Sequence, residues 1–231
     1  ACTSTTSEIK GLFTAFTKRL RDEVGVKFQT VLHQKSDADY EGIISVENEV
    51  ADSDAQVSDL VYWVAGLQAG CAVNKSTTNE VYDGEYSVKT DYTQVQLASA
   101  LQNGKYVLHR VGNGIRVLDD INTLLTVTEE KGKDFSRNQV IRVLDQIAID
   151  TAMIFNNSFL GKIPNNESGR TSFWNALVDH HKELERMQAI DTFDTANIVV
   201  AQGDSRQSIV VTDTVKPMDA MTHLYMTVTV N

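Results

Sequence analysis

The sequence contains little cysteine and little proline, with only 2 residues of each among 231. Cys2 and Cys71 are too few and too far apart for a disulfide framework or a cysteine metal site, so two free thiols in a reducing compartment are expected. With 2 prolines and 13 glycines, collagen and proline-rich linkers are excluded. No apolar run reaches the roughly 18 residues of a membrane-spanning helix, and the first residues lack the features of a signal peptide.

Positive charge is also scarce. Lysine and arginine number 21 against 31 acids, which gives a formal net charge of −10. The basic residues do not cluster, so a nucleic-acid partner is excluded, because phosphates would be repelled. Hydrophobic residues make up 42% of the chain. That share excludes intrinsic disorder of the whole chain and predicts a globular protein with a sizeable core.

Sequence motifs of catalysis are missing as well. There is no glycine-rich phosphate loop, no nucleophile elbow and no helical zinc motif, and the five histidines are scattered. The sequence therefore predicts no catalytic residue, no metal ligand and no cofactor. An enzyme whose site is assembled from distant residues, such as Asp119, Asp120 and one histidine, remains as an alternative.

Three local patterns have both a functional and a structural interpretation. Asp52-Ser53-Asp54 resembles part of a calcium loop, but the glycine and the bidentate glutamate of that loop are missing, which favours a solvated acidic face. Asp119-Asp120 follows a predicted strand, where it could bind Mg²⁺ or cap the next turn; the cap is favoured. His180-His181 are adjacent on a predicted helix and point about 100° apart, so surface histidines are expected instead of a metal pair.

Hydrophobic periodicity predicts an α+β fold, in which a mixed β-sheet packs with several helices. In the first helix, Ile9, Leu12, Phe13, Phe16 and Leu20 recur at helical spacing. A β-hairpin is expected around Gly112-Asn113-Gly114, because such a turn needs positive φ. The predicted helices are 7–23, 58–73, 136–156 and 169–187, and the predicted strands are 26–32, 105–118 and 207–230.

The same patterns predict a division of the chain into four parts. The segments 1–73 and 105–216 form the α+β core. Residues 74–104 are polar and rich in turns, which predicts a surface excursion. Residues 217–231 form a C-terminal strand or arm, in which Leu224, Met226, Val228 and Val230 alternate with polar or aromatic residues.

Several segments together resemble the tail sheath proteins of contractile bacteriophages. The branch they resemble occurs in phages of Gram-positive hosts, in defective prophages and in phage-tail-like bacteriocins. The chain is similar to the C-terminal portion of such a subunit. The segments that carry the resemblance are Trp63–Gly66, Gly70–Asn74, Val81–Gly84, Ile115–Leu124, Lys131–Ser136, Val140–Asp145, Gly169-Arg170, Glu183-Leu184, Ala189-Ile190, Val215–Met221 and Leu224–Val230.

The resemblance implies a structural subunit and no enzyme. Such subunits stack as hexameric rings around a tail tube and contract without ATP, which drives the tube through the host envelope. The implied partners are other sheath subunits, the tube protein and the baseplate, with neither nucleic acid nor membrane. The implied location is the tail of a virion or a phage-tail-like particle, after assembly in the host cytoplasm.

The C-terminal strand is the predicted subunit interface, because one of its two edges is free to pair with a neighbouring subunit. The alternative is that this strand closes the sheet of its own domain. A monomeric acidic binding or adhesin domain, with residues 35–60 as its patch, also stays open. The predicted interface residues are Leu224, Tyr225, Met226, Thr227, Val228, Thr229 and Val230, and the predicted hinge residues are Thr212, Asp213, Thr214 and Pro217.

Overall fold

The structure is a computed structural model that describes residues 1–229. Helices and small sheets alternate along the chain, which confirms the α+β class. The chain forms two compact units, one of residues 1–141 with the segment from Asp219 onward, and one of Arg142–Met218. This division differs from the four predicted parts. The boundary between the two units lies inside one continuous helix. Hydrophobic periodicity is unbroken there, so the sequence does not indicate this boundary.

The first unit contains a three-stranded parallel sheet in the order β1-β2-β3. Thr30 pairs with Ile43, and Ser45 pairs with Lys105, so the register is continuous across the sheet. Its core joins the sheet to a helix through the buried residues Ile44, Val61 and Val64. The elements of this unit are α1 (Ser7–Arg19), β1 (Thr30–His33), β2 (Ile43–Val46), α2 (Leu60–Gly70), α3 (Gln94–Gln102), β3 (Lys105–Tyr106), β4 (Leu108–Val111) and β5 (Gly114–Val117).

The predicted hairpin lies at β4 and β5, which pair antiparallel from Leu108 with Val117 to Val111 with Gly114. Gly112 has φ +58°, the left-handed conformation that the turn requires. Residues 74–104 differ from the predicted surface excursion. They bury Thr77, Val88 and Leu97, because the polar turns alternate with short stretches that reach the core.

Helix α1 turns its polar stripe toward the sheet. Lys10 donates from Nζ to the backbone oxygen of His33 at 3.1 Å, and the hydroxyls of Thr17 and Thr30 lie 2.7 Å apart. The apolar side chains of Leu12 and Phe16 are exposed. A helix normally buries its apolar stripe. Here the buried stripe is polar, because it binds backbone and hydroxyl groups at the edge of the sheet.

This reversal predicts that substitutions on the two faces of α1 lower the free energy of unfolding by different amounts. Leu12→Ser should change the free energy of unfolding of the purified chain by less than about 0.5 kcal/mol, as for an ordinary surface site. Thr17→Val leaves the buried hydroxyl of Thr30 without its partner and should lower that free energy by about 1–3 kcal/mol. Urea denaturation of the two variants measures both effects. A larger loss for Leu12→Ser than for Thr17→Val would contradict the described packing.

The second unit packs a long helix against a hairpin. The side chain of Asn166 accepts from the amide of Gly169 and so caps the helix. Phe173, Leu177 and Ile198 form the centre of this core. Helix α4 runs into this unit from the first one. The elements are α4 (Asn138–Ile154), α5 (Glu167–Arg186), β6 (Ile198–Gln202) and β7 (Ile209–Asp213).

Candidate subunit interface

The C-terminal arm, residues 219–229, carries neither helix nor strand. Leu224 and Tyr225 are 86% and 91% exposed, and Met226 and Val228 are also largely exposed. Within residues 1–229, no backbone hydrogen bond joins residues 221–229 to a strand. Val230, the last predicted interface residue, lies outside the described residues. The arm therefore exposes apolar side chains together with an unpaired backbone.

The arm is fixed only at its root. Arg137 donates from Nη1 to Asp119 at 2.7 Å and from Nε to Asp219 at 2.9 Å, which joins the first residue of the arm to the body of its unit. The amide of Ala220 donates to the side chain of Gln139 at 3.2 Å. Beyond these contacts, the described arm residues bond only to one another. The root thus fixes where the arm begins.

The predicted hinge residues lie at the end of the β6–β7 hairpin. Thr212 and Asp213 belong to β7, where both pair with β6. The amide of Thr214 donates to the backbone oxygen of Asn197 at 3.1 Å, and Pro217 forms an isolated β-bridge within the same unit. All four residues are therefore tied into the second unit in this structure.

Strands β6 and β7 form a sheet of two strands. They pair antiparallel over five residues each, from Ile198 with Asp213 to Gln202 with Ile209. Among the described residues no third strand joins either outer edge. Val199 and Val210 are about half exposed on this hairpin. An isolated hairpin of this kind has N–H and C=O groups on its outer edges where another strand can pair. On β6 the backbone oxygen of Ile198 already accepts from the indole N–H of Trp174 at 2.9 Å.

His181 contradicts the sequence-based expectation of a surface histidine. Its side chain is fully buried, with Nδ1 2.9 Å from the backbone oxygen of Leu177 and Nε2 2.9 Å from Oδ2 of Asp213. Burial lowers the pKa of His181, but the hydrogen bonds to Asp213 and Leu177 and the charge of Asp213 outweigh it, so the pKa is raised. The stripe Phe173, Leu177 and Leu184 on α5 includes position 181 at helical spacing, and this spacing could have indicated the burial.

The adjacent pair Asp119-Asp120 has a structural role. Asp120 is fully buried and accepts from the side chains of Gln68 and Asn138 at 2.7 and 2.9 Å and from the amide of Thr77 at 3.0 Å. Asp119 accepts from Arg137. Across residues 1–229, no group of three or more His, Cys, Asp or Glu side chains is arranged to hold a metal ion.

Two further sequence features have clear places in the structure. Asp52 accepts from the amide of Ser87 at 2.6 Å, so it ties two loops together. Both Cys2 and Cys71 are free thiols.

In the described part of the chain, no helix combines the length and the hydropathy that crossing a membrane requires.

Comparison with known protein families decides the family. Residues 1–123 match the model of the phage tail sheath protein central domain, and residues 130–231 match that of the phage tail sheath C-terminal domain. The chain belongs to the phage tail sheath family. The two matches confirm the family that the resembling segments along the chain predict.

Individual relatives agree with the family. A protein of the phage-like element PBSX of Bacillus subtilis is 31% identical over 97% of this chain and 50% of its own length. The sheath tail protein of Desulfitobacterium hafniense superposes with a TM-score of 0.87 at 38% identity, over 96% of this chain and 53% of that one. The contracted helical sheath of the anti-feeding prophage has the same fold, with a TM-score of 0.70 at 14% identity, over 98% of this chain and 68% of that one.

The chain spans about half the length of the curated relatives it matches. The matches therefore establish a sheath-family chain of structural type. The assembly and motion of the whole protein are matters of proposal.

Proposed function

We propose that the chain is part of a contractile sheath subunit that is joined to its neighbours by exchange of the C-terminal arm. The observation that carries this proposal is the arm itself. Its apolar residues Leu224, Met226 and Val228 are largely exposed, although a soluble chain normally buries or disperses such side chains. Because the chain belongs to the sheath family, the neighbour in this proposal is another copy of the same subunit.

The β6–β7 hairpin of a neighbouring subunit is the acceptor in this proposal. An edge of a strand of five residues forms about five backbone hydrogen bonds with an added strand, each contributing roughly 0.5–1.5 kcal/mol net. Burying Leu224, Met226 and Val228 adds about 1.5–3 kcal/mol for each side chain that is fully covered. Together these contributions are large enough to offset the cost of association and to tether subunits that rotate.

The hinge remains part of the proposal. If the arm follows a moving neighbour, the chain between β7 and the arm root changes direction. Thr212, Asp213, Thr214 and Pro217 are the residues proposed to absorb that change. Because they are bonded in the resting fold, their hydrogen bonds have to open when the hinge operates.

The assembled subunit acts mechanically in this account. Hexameric rings stack around the tail tube, starting at the baseplate, and the extended state stores the free energy that contraction releases. The proposed location is the tail of a phage or a phage-tail-like particle, after assembly in the host cytoplasm. Catalysis has no part in this function, and the proposed role is that of a non-enzymatic structural protein.

The test is negative-stain microscopy of the full-length protein that carries this chain, alone and with its tail tube protein. We expect striated tubes, and a helical repeat with sixfold rings in averaged images. A protein that stays monomeric by sedimentation in both samples contradicts the proposal. That result favours the acidic binding domain, whose patch would be residues 35–60.

A further inference from the structure

His181 and Asp213 join helix α5 to the last residue of β7. The ring of His181 is also held against Phe193, with ring centroids 5.1 Å apart. Asp213 is one of the residues proposed for the hinge, so this contact fastens the hinge to the helix. The contact is buried on one side only, since the His181 side chain is fully buried and that of Asp213 is 22% exposed.

Both ring nitrogens of His181 face oxygens that accept hydrogen bonds. Nδ1 lies 2.9 Å from the backbone oxygen of Leu177, and Nε2 lies 2.9 Å from a carboxylate oxygen of Asp213. A neutral ring carries one N–H proton and donates to only one of these oxygens, whichever tautomer it adopts. Both hydrogen bonds form only when the ring holds an additional proton.

The charged groups around this pair come from β7, α5 and α4 and from the segment that packs through Phe193. Asp213 faces His181 from β7. On α5, His180 lies beside it with ring centroids 5.3 Å apart, and from α4 Asp150 bonds to His180 at 2.8 Å. The segment that packs through Phe193 is flanked by Asp191, which pairs with Lys216, and Asp194, which caps its own turn; neither bonds to His181.

We propose that His181 and Asp213 form a proton-dependent latch that holds the hinge closed and that weakens when the pair loses its additional proton. This inference rests on the proposed function for its consequence, which is release of the arm hinge. The latch itself belongs to the single chain. The pKa of His181 is raised in the folded chain, so the latch is fully formed below about pH 6.5 and weakens as the pH rises through the folded value.

The experiment is hydrogen exchange with NMR detection on the purified chain at pH 6 and pH 9, corrected for the intrinsic exchange rates. The amides of Thr214 and Met218 report on the hinge, because both are bonded within the second unit. We expect their protection to fall by up to about tenfold for each pH unit between the reference value of about 6.5 and the His181 midpoint, and to level off above that midpoint. The ring resonances of His181 should titrate above the reference value of about 6.5.

Asp213→Asn is the decisive variant. An amide donates to a neutral ring, so the contact persists without the additional proton, and the protection of Thr214 and Met218 should become independent of pH. Asp150→Asn is the matched control, because it changes the neighbouring His180 pair and should leave the pH dependence at the hinge unchanged.

Three results overturn the latch. They are a His181 midpoint at or below about 6.5, equal hinge protection at pH 6 and pH 9 in the parent chain, or an Asp213→Asn chain as dependent on pH as the parent. None of these measurements needs an assembled sheath. A failure of the latch is therefore distinct from a failure of the arm to join subunits, which only the assembly experiments detect.

Discussion

Deleting residues 224–231 from the full-length protein is expected to abolish the formation of sheath tubes while the helical core stays folded. The deletion removes the apolar residues Leu224, Met226 and Val228 and most of the arm backbone. In the single chain these residues contribute little to stability, because they are largely exposed. Between subunits they supply the hydrogen bonds and the apolar burial of the proposed contact, so the loss of assembly should be complete. Negative-stain microscopy and circular dichroism measure the two effects.

Point variants on the two faces of the arm sharpen this prediction. Leu224→Asp together with Val228→Asp places charge on the apolar face and should block tube formation. Thr227→Asp is the matched control, because position 227 alternates with these residues and points to the opposite face of a strand. Normal tubes from the deletion protein would eliminate arm exchange. Loss of the fold on deletion would favour a strand that closes the sheet of its own domain.

Asp120→Ala should destabilise the first unit strongly. The carboxylate of Asp120 accepts from Gln68, Asn138 and Thr77 in a fully buried position. Removing it leaves several buried donors without this partner, at a cost of about 1–3 kcal/mol each where water cannot replace it. We expect a loss of at least about 3 kcal/mol, a large fraction of the 5–15 kcal/mol that stabilises a typical domain.

Thermal or urea unfolding of the purified chain measures this loss, and insolubility on expression is its extreme form. Glu129→Ala is the control, because Glu129 is an exposed acid in the same unit. Its effect should stay within about 0.5 kcal/mol. If the two variants unfold alike, the buried role of Asp120 is refuted. A metal that copurifies with the parent chain and is lost with Asp120→Ala would instead support the Mg²⁺ interpretation.

The helices and the β4–β5 hairpin could be predicted because their signals are local. The apolar repeats marked α1, α2, α4 and α5 to within a few residues. The turn around Gly112 needs a backbone conformation that few other residues adopt readily. The family could also be inferred from the sequence, since the resembling segments lie along nearly the whole chain.

The orientation of α1 and the role of His181 could not be predicted because they depend on distant partners. The stripe with Thr17 is buried only because Thr30 and the ends of the sheet offer it hydrogen bonds. His181 is buried because Asp213, distant in sequence, supplies an acceptor for its ring. A periodicity argument treats threonine, lysine and histidine as surface residues, because it does not consider hydrogen-bond partners that are distant in sequence.

The strand at the C-terminus poses a different difficulty. Its alternation of Leu224, Met226 and Val228 with polar residues predicts a strand, yet the described arm has no strand partner in its own chain. A strand forms only with a partner, and in this account the partner belongs to another subunit. The sequence therefore has the alternation of a strand, but the described part of a single chain lacks the partner strand that would form a sheet with it.

The most direct test of arm exchange is a cryo-EM reconstruction of the assembled sheath in which the backbone of every subunit is traced. Our account predicts that residues 223–229 of one subunit pair as a strand with an outer edge of the β6–β7 hairpin of another subunit. An arm that pairs within its own chain, or that remains unpaired in the assembled tube, would contradict it.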